Sequence, residues 1–355
     1  MTINVLTPRK IQLDDGRYLF SAISHVGDRL ILIGCHYFDR PIAYERLGLR
    51  LTPSTEKLSD VKYFVRKDYE PCVIITAHVG FDPIEVEFLY EGQIWKIALD
   101  QEEPPHCALS LMTLFKDDYQ LLPEFIRYYA NLGVETFYLY YNGRLDSIDW
   151  TFLRNLEKSR GARILLVEWD IAYWWNLSAI VDKPVYDQQG YQHHAQTMAI
   201  NHHIHSVRGY SAYTLFIDLD EYIFTPKAIL DSCRAEKPRF IILQSWWAAL
   251  TEIVPYNSFS VLDDKNLLVA ESGEGRWRVK SMVNPDSVDL MGIHIPHVYL
   301  TGNYRFIDGF FHFFRFAEND RTTATDKKLI PWLKSEFVRR KFSDGADVEP
   351  PGSGS

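Results

Sequence analysis

A chain of 355 residues, 46% hydrophobic and 24% charged, has the make-up of an ordinary globular protein, and its length favours two domains over one. The formal net charge of −9, with no dense basic run, speaks against a nucleic-acid partner, because releasing phosphate counterions needs a cationic face. Cys35, Cys72, Cys107 and Cys233 lie far apart without a C-x-x-C pair, which excludes the common zinc-ribbon spacings and outlines no disulfide framework. No run approaches ~20 apolar residues and the first residues lack an apolar signal core, so neither a transmembrane segment nor a signal peptide is expected.

Residues 1–104 are expected to form a β-rich, sandwich-like domain. Runs at 18–24, 29–35, 72–77 and 84–90 carry Val, Ile, Tyr and Phe, and Asp-Gly and Glu-Gly turns separate them. Glu102-Glu103-Pro104-Pro105 reads as a linker. From residue 105 to about 342 the pattern alternates between strand and helix.

The apolar run 107–115 is of the kind buried in a parallel sheet. Leu121, Leu122, Phe125, Tyr128, Tyr129 and Leu132 then repeat with helical spacing, Asp117 or Asp118 can cap the start, and Gly133 can end the helix. Strands are predicted at 136–141, 163–168 and 214–217, with helices at 147–158 and 192–206. This β-α-β-α-β order implies right-handed crossovers and a mostly parallel, doubly wound α/β sheet that binds ligands at its strands' carboxyl ends. There is no G-x-G-x-x-G and no P-loop, so phosphate must be held another way. The last residues, 343–355, read as a disordered tail.

Three acids, Asp218, Asp220 and Glu221, interrupt the apolar run 215–224. Read as a strand end, Asp218 and Asp220 share one face while Leu219 points to the core. Two neighbouring carboxylates repel and lose hydration, and a divalent cation with a taste for oxygen ligands, Mg²⁺ or Mn²⁺, offsets both costs. The plain alternative is a solvated strand end that caps the next helix. His193, His194, His202, His203 and His205 suggest zinc at first sight, but they spread over several helix faces without a Cys or an H-E-x-x-H pattern, so zinc is not expected. The pairs Trp174-Trp175 and Trp246-Trp247 can stack on sugars or fill cores.

The motifs around the acids resemble glycosyltransferase family 92 across residues 107–315. They comprise Lys116-Asp117-Asp118 with Leu122-Pro123-Glu124-Phe125-Ile126-Arg127-Tyr128, then Gly133-Val134 leading to Phe137-Tyr138, Tyr140, Asn142 and Asp146. Gln196 and Asn201, the segment from Phe216 to Ile223, and the series Lys280, Met282, Val283, Pro285, Gly292 and His294 follow, with His312-Phe313 last. Phe20 to His25 and Arg29-Leu30 also resemble the β-rich module that precedes the family's catalytic domain. Arg144 replaces a serine of the pattern, and Asp118 stands for a glutamate.

This resemblance implies a GT-A type enzyme that moves a sugar from a UDP- or GDP-sugar to a glycan or other hydroxyl acceptor, with inversion. It implies Mn²⁺ or Mg²⁺ on Asp218, Asp220 and His294, with His312 the rival histidine and His297 a distant one. Lys116, Asp118, Asn142, Gln196, Asp218, Glu221, Lys280 and His312 are the expected donor-binding residues. The base stays open among Glu252, Glu271 and Asp308. A nucleotidyltransferase-like enzyme and a non-catalytic carbohydrate-binding protein are the competing readings. The expected setting is a soluble cytoplasmic enzyme of bacterial or viral type, or a soluble portion of a membrane-associated one.

Overall fold

The computed structural model describes residues 4–37, 41–52, 59–67, 70–80, 84–116, 118–176, 191–193, 195–250, 267–270, 279–296, 303–315 and 337–339. Glu252, Glu271, His297 and the tail 343–355 lie outside these residues.

A large mixed sheet organises the second part of the chain. Asn4–Leu6, Arg163–Glu168, Thr136–Tyr141, Cys107–Phe115 and Ser211–Phe216 lie side by side in that order, all parallel. Val279–Val283 then runs antiparallel to Ser211–Phe216, and Phe240–Leu250 antiparallel to Val279–Val283. Tyr304–Arg315 lies parallel along the far side of Phe240–Leu250. The predicted strands 107–115, 136–141 and 163–168 match these bounds, and the strand expected at 214–217 begins earlier and ends at Phe216.

The helices connect the parallel strands. Helix α1 (Leu122–Asn131) starts with Pro123 in its first turn and buries Leu122, Phe125, Ile126, Tyr128 and Tyr129 on one stripe. Gly133 stops it at φ +95°, a backbone state in which a side chain would be strained. Helix α2 (Thr151–Arg160) ends on Gly161 at φ +68°. Helix α4 (Pro226–Glu236) follows the acidic segment.

Helix α3 (Ala195–Val207) has no polar face: every residue but Gln196 is buried. Its surroundings explain this. Strands Arg9–Gln12, Tyr18–Val26, Arg29–Gly34, Ser59–Arg66, Cys72–His78 and Gln101–Glu102 form one N-terminal sheet, and Gly48–Thr52, Ile84–Tyr90 and Gln93–Leu99 another. The first of these covers α3 on the side away from the large sheet: Ser24 Oγ meets His202 Nε2 at 3.0 Å, and His203 Nε2 meets Thr214 Oγ1 at 2.7 Å on the opposite side. A single hydrophobic core therefore joins Phe20, Ile31 and Ile74 to Met198, Ile204 and Tyr140. The boundary expected near 104 divides the sheets but not this core, and Asn4–Leu6 crosses it to extend the large sheet.

Candidate functional site

The chain order along the large sheet reverses between Cys107–Phe115 and Ser211–Phe216. A cavity of about 500 Å³ opens at this point. Lys116, Asp118, Asn142, Gln196 and Asp218, all expected to contact a donor, line it. Asp170, Ile171 and Tyr173 also line it. These three were missed in the sequence, although they directly follow the strand 163–168 and its carboxyl end was the place to look.

Two of the lining residues do other work as well. Asn142 is buried, and its Nδ2 donates to Trp169 O at 2.8 Å and Ile171 O at 2.9 Å, so it braces the cavity wall. Gln196 Oε1 accepts from Tyr173 Oη at 3.1 Å. The start of the helical segment after the first strand carries no side-chain cap from Asp118.

The acidic segment is a turn, which corrects the extended alternation expected for it. The strand ends at Phe216, and Asp218 N donates to a Glu221 carboxylate oxygen at 2.8 Å while Glu221 N donates to Asp218 O at 3.1 Å. The two bonds close the chain on itself over four residues. Beyond the turn, Tyr129 Oη donates to Glu221 O at 2.9 Å, and Tyr128 Oη donates to Ile223 O. The paired tyrosines of α1 thus hold the short strand Glu221–Ile223, which pairs antiparallel with Phe310–His312 and sets Glu221 opposite His312.

This pairing assembles a buried charge cluster. Asp220, Glu221 and Lys280 are 7%, 1% and 4% exposed. Lys280 Nζ bonds Asp218 Oδ2 and lies 3.2 Å from Glu221 Oε2. His312 Nδ1 is 3.4 Å from Glu221 Oε1, and its Nε2 is 3.8 Å from Asp220 Oδ2.

Burial works against the Lys280 ammonium, but Asp218, Glu221 and Asp220 outweigh it and hold its pKa above the ordinary value. Burial also works to raise Asp218, and there the adjacent Lys280 prevails and keeps the carboxyl below its ordinary range. Asp220 is pushed well up by burial and by Glu221 and Asp218. Burial pushes Glu221 up to about 7 against the pull of Lys280. Among the described residues, three carboxyls, one ammonium and one imidazole meet here, and burial makes ionisation of Asp220 and Glu221 costly.

Ligand atoms of Asp220, Glu221 and His312 all lie within 4.8 Å of one another. Two carboxyls and an imidazole gathered this closely are a donor set that fits Mn²⁺ or Mg²⁺. The set expected from sequence was Asp218, Asp220 and His294. The structure instead brings Asp220 together with Glu221 and the rival histidine, His312, and turns Asp218 toward Lys280. His294 is exposed and hydrogen-bonds Val279 O through Nδ1 at 2.9 Å. It is close enough to Asp218 to help lower its pKa, but outside the three-residue group. Trp246 is 1% exposed and belongs to the core. Asp308 lies on the strand Tyr304–Arg315 opposite Gln244.

A family model described as glycosyltransferase family 92 matches residues 107–334. No curated protein matches the chain significantly. Twenty-nine chains of solved structures do. One is the crystal structure of HddC from Yersinia pseudotuberculosis, 10% identical, covering 57% of this chain and 92% of that one with a TM-score of 0.30. Another is the crystal structure of S. aureus TarS 1–349, 8% identical, covering 58% of this chain and 60% of that one with a TM-score of 0.34.

Proposed function

The chain belongs to glycosyltransferase family 92 and is a glycosyltransferase; we propose that it is a metal-dependent, inverting enzyme of GT-A type that takes its sugar from a UDP- or GDP-sugar. The observation that carries this reading is the acidic turn, which lines the switch-point cavity with Asp218 and Leu219 and gathers buried Asp220 and Glu221 beside His312. Asp220, Glu221 and His312 would hold Mn²⁺ or Mg²⁺ there. When bound, the ion supplies positive charge that stabilises a departing nucleoside diphosphate.

The rest is done by the chain itself. Lys280 keeps its proton beside Asp218, so a fixed, dehydrated ammonium faces the region where the leaving group gains charge. Asp218, a third exposed at its side chain, is placed to meet ribose hydroxyls or the ion. Asp118, Gln196, Asp170 and Tyr173 offer hydrogen-bonding groups and one ring for the nucleoside. Asn142 fixes the wall that carries two of them. An acceptor hydroxyl, of a glycan or another alcohol, would attack the anomeric carbon from the face opposite the diphosphate and give its proton to a carboxylate. Asp308, Glu252 and Glu271 remain the candidates for that base.

Among the described residues no helix is long and apolar enough to cross a membrane. The functional test is thermal unfolding of the full chain with a panel of UDP- and GDP-sugars, each with and without Mn²⁺. Stabilisation by one donor only when Mn²⁺ is present supports the proposal. Equal stabilisation without metal refutes its metal dependence. Release of pyrophosphate during turnover would instead identify nucleotidyl transfer, and sugar binding with no nucleotide binding a carbohydrate-binding protein.

A further inference from the structure

The motif that contains Gly292 and His294 was noted in the sequence without a reason for its glycine. The structure supplies one, and it comes from the N-terminal region. Arg66, at the end of strand Ser59–Arg66, pairs with Glu70 at 2.7 Å, and the two side chains are only 11% and 10% exposed. They press directly on Gly292: a Cβ there would overlap both Arg66 Nη1 and Glu70 Oε2. Glu70 Oε2 also accepts from Ile293 N at 3.3 Å. A side chain at Gly292 would push the charged ends of the pair aside, and Glu70 bonds the backbone that follows.

The same segment is held from its other side by α3. Asn201 Nδ2 donates to Met291 O at 2.9 Å, and its Oδ1 accepts from Met291 N at 2.8 Å. Gly292 N donates to Ile295 O at 2.9 Å, which closes a tight loop. The loop's inner surface meets the charge cluster. Ile293, 4% exposed, lines a small recess together with Lys280, Asp218 and Gln196, and Ser281 Oγ donates to His294 O next to Lys280.

We propose that Arg66 and Glu70 are positioning residues of the transfer site, which lock Gly292 and Ile293 against Lys280 and Asp218 and so set the geometry of the donor's diphosphate pocket. The β-rich region is then a structural part of the donor site. This inference rests on the reading of the acidic turn as the diphosphate site. Removing the Glu70 carboxylate would take the acceptor from Ile293 N and loosen the loop, and the effect would reach the ligand through Ile293 and Lys280.

The test uses the full chain, with two readouts: calorimetric titration of UDP and of GDP in excess Mn²⁺, and hydrogen exchange at the Ile293 amide without ligand. Glu70→Ala is expected to speed exchange at Ile293 and to weaken binding of the nucleoside diphosphate roughly tenfold, the scale of one lost charge-assisted hydrogen bond. Glu70→Gln keeps an acceptor for Ile293 and is expected to stay within about threefold of the parent. Gly292→Ala, a local change that keeps the ion pair's residues, is expected to weaken binding at least as much as Glu70→Ala. Faster exchange with unchanged binding in Glu70→Ala would make the ion pair merely structural and overturn the proposal. If Glu70→Ala does not fold, parent-like binding by Gly292→Ala overturns it just as well. Failure of the parent protein to bind either nucleotide would defeat the diphosphate-site reading itself, while the exchange data would still report whether the grip on Ile293 exists.

Discussion

Helix α3 buries His202, His203 and His205 in full, and the turn 218–221 with its neighbours buries Asp220, Glu221, Lys280 and His312 nearly as deeply. The histidines meet neutral partners: Ser24 and Tyr140 for His202, Thr214 for His203, and the carbonyl of Asp289 for His205. Burial drives His202 and His205 down to about 3 and His203 well below its ordinary value, so all three stay uncharged. At the turn the titratable groups face one another instead, and burial together with neighbouring carboxyls raises Asp220 and Glu221, so a cation that favours their ionised forms would be bound strongly. Burial of titratable side chains therefore does not distinguish a site from a core; the balance of charge around them does.

The largest effect should come from the turn. Asp220→Ala is expected to lower glycosyl transfer by more than about a hundredfold, measured as nucleoside diphosphate released, while circular dichroism shows an intact fold. Activity within a few-fold of the parent would put the turn in the same class as α3. Lys280→Met removes the ammonium that Asp218 and Glu221 face and should destabilise the protein by about 3 kcal/mol without metal. Mn²⁺ should recover part of that loss in thermal unfolding, because the added cation replaces the missing charge. A loss indifferent to Mn²⁺ would blur the contrast.

Acid should separate the two regions more gently. The folded pKa values of His202 and His205, about 3, lie below the ordinary 6.5. The unfolded chain then takes up protons first, and stability present above pH 6.5 is lost as pH falls toward 3, at up to ~1.4 kcal/mol per pH unit for each histidine. Glu221 has the opposite sign: its folded value of about 7 exceeds the ordinary 4.5, so its contribution is present below 4.5 and fades as pH rises through 7. Urea denaturation across pH 4–8 should show both limbs, and Mn²⁺ should reduce only the upper one, since a metal binds the ionised carboxylate. Equal flattening of both limbs by Mn²⁺ would count against the separation.

Much of the fold was legible because local chemistry determines it. Continuous apolar runs mark the buried parallel strands 107–115, 136–141 and 163–168, and Gly133 marks a helix end at positive φ, while the helix expected at 147–158 runs on to Arg160 and Gly161. The acids of the candidate site were legible as an interruption of an apolar run, a pattern that also fits a solvated strand end until the motifs around it are read. Their geometry was not. Alternation in Leu215–Glu221 reads as strand, yet the bond from Asp218 N to the Glu221 side chain turns the backbone, and no periodicity reports it.

His312 joined the cluster through a strand pairing ninety residues away in the chain, which no local pattern encodes. The N-terminal contribution at Arg66 and Glu70 was hidden likewise, and only the lone Gly292 hinted at a close approach.

The most direct measurement is Mn²⁺ binding to the full chain, followed by the loss of the free-ion electron paramagnetic resonance signal in the presence of UDP or GDP. Saturable binding of one ion per chain that weakens at least about tenfold in His312→Ala, and no more than about twofold in His203→Phe, is the predicted result. Equal binding by His312→Ala and the parent, or equal weakening in both variants, would contradict the assignment of the metal to the acidic turn.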